Sequence, residues 1–290
     1  MMRWHDALLC SALLIALLIG CEREPPPVKY GESGEGYATK IDFARLEQEL
    51  PLTPADLMKI TPANLEAATQ EQVDQIYARL TAGPIPDGPY QGQAFFVKGS
   101  SGRARFAEII GGGLKGFVVG LKTAKLEHVA EAVWKGKVFD RSHRMLRNRI
   151  NDLAILKPLV GPEVGTIQKL DVDGKDTWLL FPAKLYCGQS LLDGRRESII
   201  IDYAFADDLQ GYREKPDALA GRDGLDIRDE IRMVRPGFYL GRAYMKKVFV
   251  LNFTLYHPET ADREAVAFQT TGKTLEDCWV GPQRTTAMVQ

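Results

Sequence analysis

The chain contains few of the residues that most often carry catalytic or metal chemistry. Of its 290 residues, four are cysteines and four are histidines. The histidines are scattered, no HExxH motif occurs, and no two cysteines have the CxxC spacing. These absences disfavour a zinc site and thiol redox catalysis. We therefore expect no metal and no cofactor.

An excess of charge of one sign is also missing. The 37 basic side chains balance 38 acidic ones, for a formal net charge of −1, and no tract of five or six basic residues occurs. Such a chain has no long-range attraction for phosphate backbones. We expect no nucleic-acid partner.

The one long apolar run lies at the amino terminus. The stretch Ala7–Ile19 is apolar apart from Ser11 and follows the basic residue Arg3. It is shorter than the roughly 20 apolar residues that a helix needs to span a bilayer core. Its length, and the polar residues that begin at Glu22, predict a signal peptide over residues 1–20.

This run ends in Leu18-Ile19-Gly20-Cys21, which resembles the lipobox of bacterial lipoproteins. The resemblance implies cleavage before Cys21 and multiple acylation of that residue. Acyl chains bury about 0.8 kcal/mol per CH₂ group, so the membrane is the expected partner. Because Glu22 rather than an aspartate follows, the family's sorting pattern implies the periplasmic side of a Gram-negative outer membrane.

The next two segments have different compositions. Residues 21–40 contain three consecutive prolines and several glycines among polar residues, which predicts a flexible tether. Residues 41–89 predict several short helices. Forty residues rarely form a core of their own, so we expect these helices to pack on the same domain as the rest of the chain.

Capping residues support the helices. Thr53 and Thr61 each precede a proline at the first helical position, and Thr69 stands three residues before Gln72, as in a capping box. The Gly- and Pro-rich stretch 83–89 predicts a hinge.

Residues 90–290 predict a second helical region over 104–134 and then a series of strands. The candidate strands are Lys137–Asp140, Met145–Ile150, Thr166–Val172, Thr177–Tyr186, Gln189–Leu192, Glu197–Ala204, Ile227–Val234, Phe238–Lys247 and Val248–Tyr256. Two Asp-Gly dipeptides between apolar runs indicate hairpins, and hairpins in series predict an antiparallel meander.

A meander of about eight strands closes most economically into an up-and-down barrel, which removes exposed sheet edges. The predicted fold class is therefore α+β, with amino-terminal helices and a calycin-like barrel. A two-sheet β-sandwich is the alternative.

The last strands carry a mixed polar face, which includes Arg232, Arg242, Tyr244 and Asn252. If this face points inward, these residues line a partly polar cavity. That arrangement is similar to lipocalins and fatty-acid-binding proteins, whose barrels hold an acidic head group with arginine and tyrosine. The guanidinium fork can bond both oxygens of a carboxylate. The alternative is an ordinary solvated sheet face.

Two cysteines remain after Cys10 leaves with the signal and Cys21 is acylated. Cys187 and Cys278 would lie in a compartment that favours disulfides, and they either form a bridge or remain separate buried thiols.

Three functions follow from these observations. The first is a membrane-anchored envelope lipoprotein that binds a lipid or fatty acid in a β-barrel. The second is a non-enzymatic lipoprotein that docks another envelope component through its helices; its protein partner is not identified by the sequence. The third is an enzyme, for which Asp202, Asp229 and Glu230 are the first candidates.

Overall fold

The structure is a computed structural model that describes residues 23–32, 41–97, 134–153, 165–172 and 174–282. The predicted signal peptide, the lipobox and the helical region over 104–133 lie outside these residues. The described helices are α1 (Phe43–Glu49), α2 (Pro54–Lys59), α3 (Pro62–Ala67), α4 (Gln70–Arg79), α5 (Glu214–Asp217) and α6 (Pro258–Thr271). The described strands are β1 (Gly88–Phe95), β2 (Trp134–Asp140), β3 (Met145–Ile150), β4 (Lys169–Val172), β5 (Lys175–Gln189), β6 (Glu197–Asp202), β7 (Ile227–Arg235), β8 (Phe238–Met245) and β9 (Val248–Tyr256).

The nine strands form one antiparallel sheet that closes on itself. Their order is β3-β2-β1-β9-β8-β7-β6-β5-β4, and β3 also pairs with β5. Closure therefore involves eight strands, with β4 added at the side of β5. The long strand β5 makes this arrangement possible, since its first half pairs with β3 and β4 and its last residues pair with β6. The predicted α+β fold with an up-and-down barrel is confirmed, and the sandwich alternative is wrong.

Local predictions differ from the structure at three places. Residues 88–95 form β1, which the glycines and prolines of the predicted hinge concealed, and which is paired on both sides by β2 and β9. Of the predicted strand Gln189–Leu192, only Gln189 is in a strand, as the last residue of β5; the residues after it form a turn, in which the Ser190 hydroxyl accepts hydrogen bonds from the backbone N–H groups of Leu192 and Asp193. Helix α6 was not predicted.

The barrel interior is a single apolar core. All eight strands of the closed sheet contribute to it. Its buried side chains on these strands are Tyr90, Phe139, Leu146, Ala183, Leu185, Ile199, Ile201, Ile231, Met233, Tyr239, Phe253 and Leu255. The interior of an eight-stranded barrel can be filled by side chains or can hold one small ligand. Here these buried side chains occupy most of it.

A second core lies outside the barrel wall. Buried residues of α3 and α4 pack against outward-facing residues of β7, β8 and β1, such as Val234, Leu240 and Phe95. The three predicted threonine caps are confirmed, and each belongs to a capping box. The helices therefore share a core with the barrel rather than forming a unit of their own.

Residues 23–32, part of the predicted tether, are bonded to the helices. The side chain of Gln75 accepts a hydrogen bond from the Gly31 N–H at 2.9 Å and donates one to the Gly31 carbonyl at 3.1 Å. Arg79 donates to the Lys29 carbonyl. Among the described residues, no helix is both long and apolar enough to cross a membrane.

Of the two alternatives for the cysteines, the structure has the disulfide. Cys187 lies on β5 and Cys278 lies in the segment that follows α6, with their Cα atoms 5.4 Å apart. The bridge thereby holds the carboxy-terminal segment against the barrel.

We expect the double variant Cys187→Ser/Cys278→Ser to lower the free energy of unfolding by about 2–4 kcal/mol, because the bridge restricts a long loop of the unfolded chain. Chemical denaturation of the oxidised wild type and the variant measures this difference. Equal midpoints at equal slopes would show that the bridge contributes nothing to stability.

Candidate functional site

The four predicted ligand-binding residues do not line the barrel interior. Along β8, Tyr239 and Ala243 belong to the interior core, whereas Phe238 and Leu240 belong to the core beneath the helices. Arg242 and Tyr244 alternate with the second pair and therefore face outward. The same alternation places Arg232 and Asn252 on the outer face. The inward orientation that their ligand role requires is wrong.

Arg232 forms hydrogen bonds that join the barrel wall to the helical layer. Its side chain is fully buried and donates to the Ser198 hydroxyl at 2.9 Å, the Tyr77 carbonyl at 3.2 Å and the Asp193 carboxylate at 3.2 Å. Burial alone would raise the pKa of Asp193, but Arg195 and Arg232 outweigh this effect and lower it. Arg232 is thus occupied by protein groups.

Arg242, Tyr244 and Asn252 are occupied in the same way. Arg242 pairs with Asp74 of α4 and donates to the Tyr244 hydroxyl at 3.0 Å. The Asn252 amide donates to the side chain of Gln70 at 2.9 Å. These contacts join the helices to the wall, and they hold no group free for a ligand carboxylate.

The three carboxylates considered for an enzyme are not brought together. Glu230 faces outward and accepts from Ser190 and Tyr244. Asp202 accepts from the Tyr186 hydroxyl at 2.9 Å. Only Asp229 enters the barrel, since it lies next to Glu230 on β7 and points to the opposite face.

Asp229 belongs to a polar cluster inside the barrel, which we call the interior cluster: Lys137, Asn148, Tyr203 and Asp229. All four residues are at most 6% exposed. The Lys137 ammonium donates to Asp229 at 3.0 Å, to Asn148 at 3.0 Å and to the Tyr203 hydroxyl at 2.5 Å. Each of the four side chains comes from a different place: β2, β3, the residue after β6, and β7. Together they form a single polar cluster in an otherwise apolar interior.

Aromatic rings enclose the Lys137 ammonium. It lies 5.4 Å from the ring centre of Trp134 and 5.4 Å from that of Phe253, while Tyr203 contacts it through the hydroxyl at the edge of its ring. Gly241 makes room for the Phe253 ring, because a Cβ at this position would approach the ring to 2.2 Å. A cation desolvated among aromatic faces gains up to about 2 kcal/mol per contact.

The charges of the interior cluster compensate one another. Burial disfavours the charged form of Lys137, but Tyr203 and Asp229 outweigh it and raise the pKa of the lysine. Burial raises the pKa of Asp229 despite the opposing effect of Lys137. Burial also raises the pKa of Tyr203 to about 12, so its phenol keeps its proton at neutral pH.

The hydrogen-bonding capacity of the interior cluster is almost used up. An ammonium has three donors, and those of Lys137 all have acceptors. The Asn148 amide donates to the Phe181 carbonyl and to the Tyr203 hydroxyl. By contrast, Oδ1 of Asp229 is buried and has no hydrogen-bond partner in the part of the chain that the structure describes. The atom of the cluster that can still form a hydrogen bond is therefore an acceptor.

A pocket of about 130 Å³ adjoins the interior cluster. It is formed by the segment 203–226 between β6 and β7, and Tyr203 contributes to both the pocket and the cluster. Acidic and aromatic side chains line it, including Asp207, Tyr212 and Glu214. Tyr203 thus lines the pocket, and its hydroxyl belongs to the cluster with Lys137 and Asp229.

The sequence contains a signal for Lys137, although none of the predicted site residues lies on β2. Lys137 and Phe139 lie on the same face of β2, and Phe139 is a core residue. A lysine in phase with a core aromatic residue on a strand indicates a buried cation. Asn148 lies opposite Lys137 on the neighbouring strand β3, whereas Tyr203 and Asp229 could not be found this way because they are distant in sequence.

Comparisons with known proteins add little to this geometry. No protein-family model and no curated protein matches the chain. A solved structure titled "Crystal structure of protein from Thermomonospora curvata" is similar, with 16% sequence identity and a TM-score of 0.34. The alignment covers 66% of this chain and 88% of that one.

We expect Lys137→Met to lower the free energy of unfolding by about 3–5 kcal/mol, because it leaves the Asp229 carboxylate buried without its counter-ion. The double variant Lys137→Met/Asp229→Leu should recover most of this loss. Chemical denaturation of the wild type, both single variants and the double variant measures the pairwise energy.

The matched control is Lys169→Met/Asp176→Leu. This lysine and aspartate form an exposed pair at 2.9 Å on the β4–β5 hairpin. Exposed pairs contribute at most about 1 kcal/mol, so the control should show little change. Equal effects at the two pairs would contradict the interpretation of the interior cluster as a compensated buried charge.

Proposed function

We propose that the protein is a lipid-anchored envelope lipoprotein whose barrel binds a small amphiphilic ligand at the end covered by residues 203–226. Cys21 carries the acyl chains, and the periplasmic face of the outer membrane is the site of action. The observation that carries the binding role is the interior cluster, a nearly saturated polar group in an apolar interior, next to a pocket that shares Tyr203 with it.

The size of the pocket restricts the ligand. Side chains fill the barrel interior, and about 130 Å³ of space beside Tyr203 suits a head group rather than a whole lipid. The polar head then enters the pocket and the apolar part lies toward the barrel rim. Because Tyr203 stands between the pocket and Asp229, its side chain has to shift for the head group to reach the carboxylate.

The interior cluster favours a head group that donates a hydrogen bond. A carboxylate would need a free donor, and the three donors of Lys137 are already used. An alcohol or amide would instead supply the missing partner of Asp229 Oδ1. Leaving a buried acceptor unpaired costs about 1–3 kcal/mol, which is free energy that such a ligand recovers. Within the lipid class, this argument selects neutral hydroxyl lipids over fatty acids.

The docking alternative would have to use the polar surface of the helices. Their apolar side chains are buried against the barrel wall, and Asp74 of α4 pairs with Arg242. Removing residues 41–81 to test that alternative would therefore also uncover the wall. No observation favours the docking role over ligand binding.

Native mass spectrometry of a soluble Cys21→Ser form, purified from the periplasm, tests the proposal. We expect a reproducible added mass of a neutral hydroxyl lipid, or its appearance after incubation with monoacylglycerol. The double variant Lys137→Met/Asp229→Leu should lose at least tenfold in bound fraction, because it has no acceptor for the head group.

The exposed-pair variant Lys169→Met/Asp176→Leu is the control and should bind like the wild type. Palmitate tested in parallel should bind more weakly than monoacylglycerol. Binding that survives removal of the Lys137–Asp229 pair in a folded protein would remove the interior cluster from the site. An unchanged protein mass with both lipids would overturn the binding function.

A further inference from the structure

The amino-terminal segment ends on one particular corner of the protein. Arg23, the first described residue, forms an ion pair with Glu66 near the end of α3 at 2.6 Å. From there the segment runs along α4 as far as Glu32. We define this corner, formed by α3 and the start of α4, as the anchor corner.

Several contacts hold the segment in place. Gln75 of α4 brackets Gly31 with one accepted and one donated hydrogen bond. Arg79 reaches the Lys29 carbonyl at 3.0 Å, and the side chains of Val28 and Tyr30 pack on the core beneath the helices. Arg79 is almost fully buried, so its bond is protected from water. Such contacts make residues 23–32 part of the folded body.

The position of Cys21 follows from chain length. Cys21 and Arg23 are joined by two peptide units, which span at most about 7 Å when they are fully extended. A flexible tether of about 19 residues would instead allow a root-mean-square reach of about 25 Å. The attachment point of the acyl chains is therefore close to the anchor corner.

We propose that the lipidated protein lies on the bilayer with the anchor corner against the membrane, instead of swinging on a long tether. This inference rests on the acylation of Cys21 in the proposed function. The occupant of this surface is the membrane itself, because the chain that leads to it is too short to reach past the corner. The opposite side of the barrel, at the β4–β5 hairpin, then faces away from the bilayer.

Energy transfer to a membrane acceptor tests the orientation. The mature acylated protein is placed in phosphatidylcholine vesicles that contain a rhodamine-labelled lipid, with a donor dye on a single introduced cysteine. Ala63→Cys labels α3, and Lys175→Cys labels the β4–β5 hairpin; both positions are exposed. The efficiency at position 63 should be at least twofold higher than at position 175.

A release variant makes the test specific. Arg23→Ala/Gln75→Leu removes the ion pair and both hydrogen bonds to Gly31, so the efficiencies at the two positions should become similar. Gln269→Leu, the same change at an exposed position of α6, should leave the twofold difference intact. Circular dichroism of each variant verifies that the barrel is folded.

The outcomes separate the two proposals. Flotation of the wild type but not of Cys21→Ser with vesicles supports the anchor, and equal efficiencies in a floating wild type would overturn the orientation alone. A wild type that does not float and carries no acyl mass would overturn the anchor and the orientation together, while ligand binding by the soluble form would be unaffected.

Discussion

Closure of the sheet between β3 and β5 is the constraint on which the rest of the structure depends. Once the sheet is closed, each strand has an inside and an outside, and neighbouring residues go to opposite sides. Asp229 and Glu230 illustrate this. Asp229 is buried inside the barrel, where it pairs with Lys137. Glu230 is buried on the outer face, where it accepts hydrogen bonds from Ser190 and Tyr244. Two polar networks thus lie on opposite faces of the same sheet, one inside the barrel and one outside it.

In the outer network, polar side chains on the outer face of the sheet contact the helices instead of water. An antiparallel sheet commonly exposes one face to water, but here α4 covers the face that carries Arg232 and Arg242. Buried charges are tolerated only when they are paired and hydrogen-bonded. The pairs Arg232–Asp193 and Arg242–Asp74 meet that condition. The helical layer is held to the barrel by the Arg242–Asp74 pair and by the bond from Arg232 to the Tyr77 carbonyl. Their role is structural.

The inner network differs from the outer one in its surroundings, because it lies inside the barrel and shares Tyr203 with the pocket. The three donors of Lys137 all have acceptors, whereas Oδ1 of Asp229 has no hydrogen-bond partner among the described residues; the same is true of Oδ1 of Asn252 in the outer network. An unpaired buried acceptor costs free energy, and only the one inside the barrel lies beside a residue that lines the pocket. The unpaired oxygen of Asp229, together with the pocket that Tyr203 lines, is the observation behind the proposed ligand.

The sequence by itself determined the helix caps, the α+β class and the strands other than β1, because alternation, Asp-Gly turns and Thr-Pro caps act over a few residues. It also placed Arg232, Arg242, Tyr244 and Asn252 on one face. Only the tertiary structure decided that this face is the outer one, because the direction of a mixed face depends on what covers it. The interior cluster needed the same information. Lys137 and Asn148 are neighbours on β2 and β3, but Tyr203 and Asp229 come from distant parts of the chain and reach them only when the barrel closes.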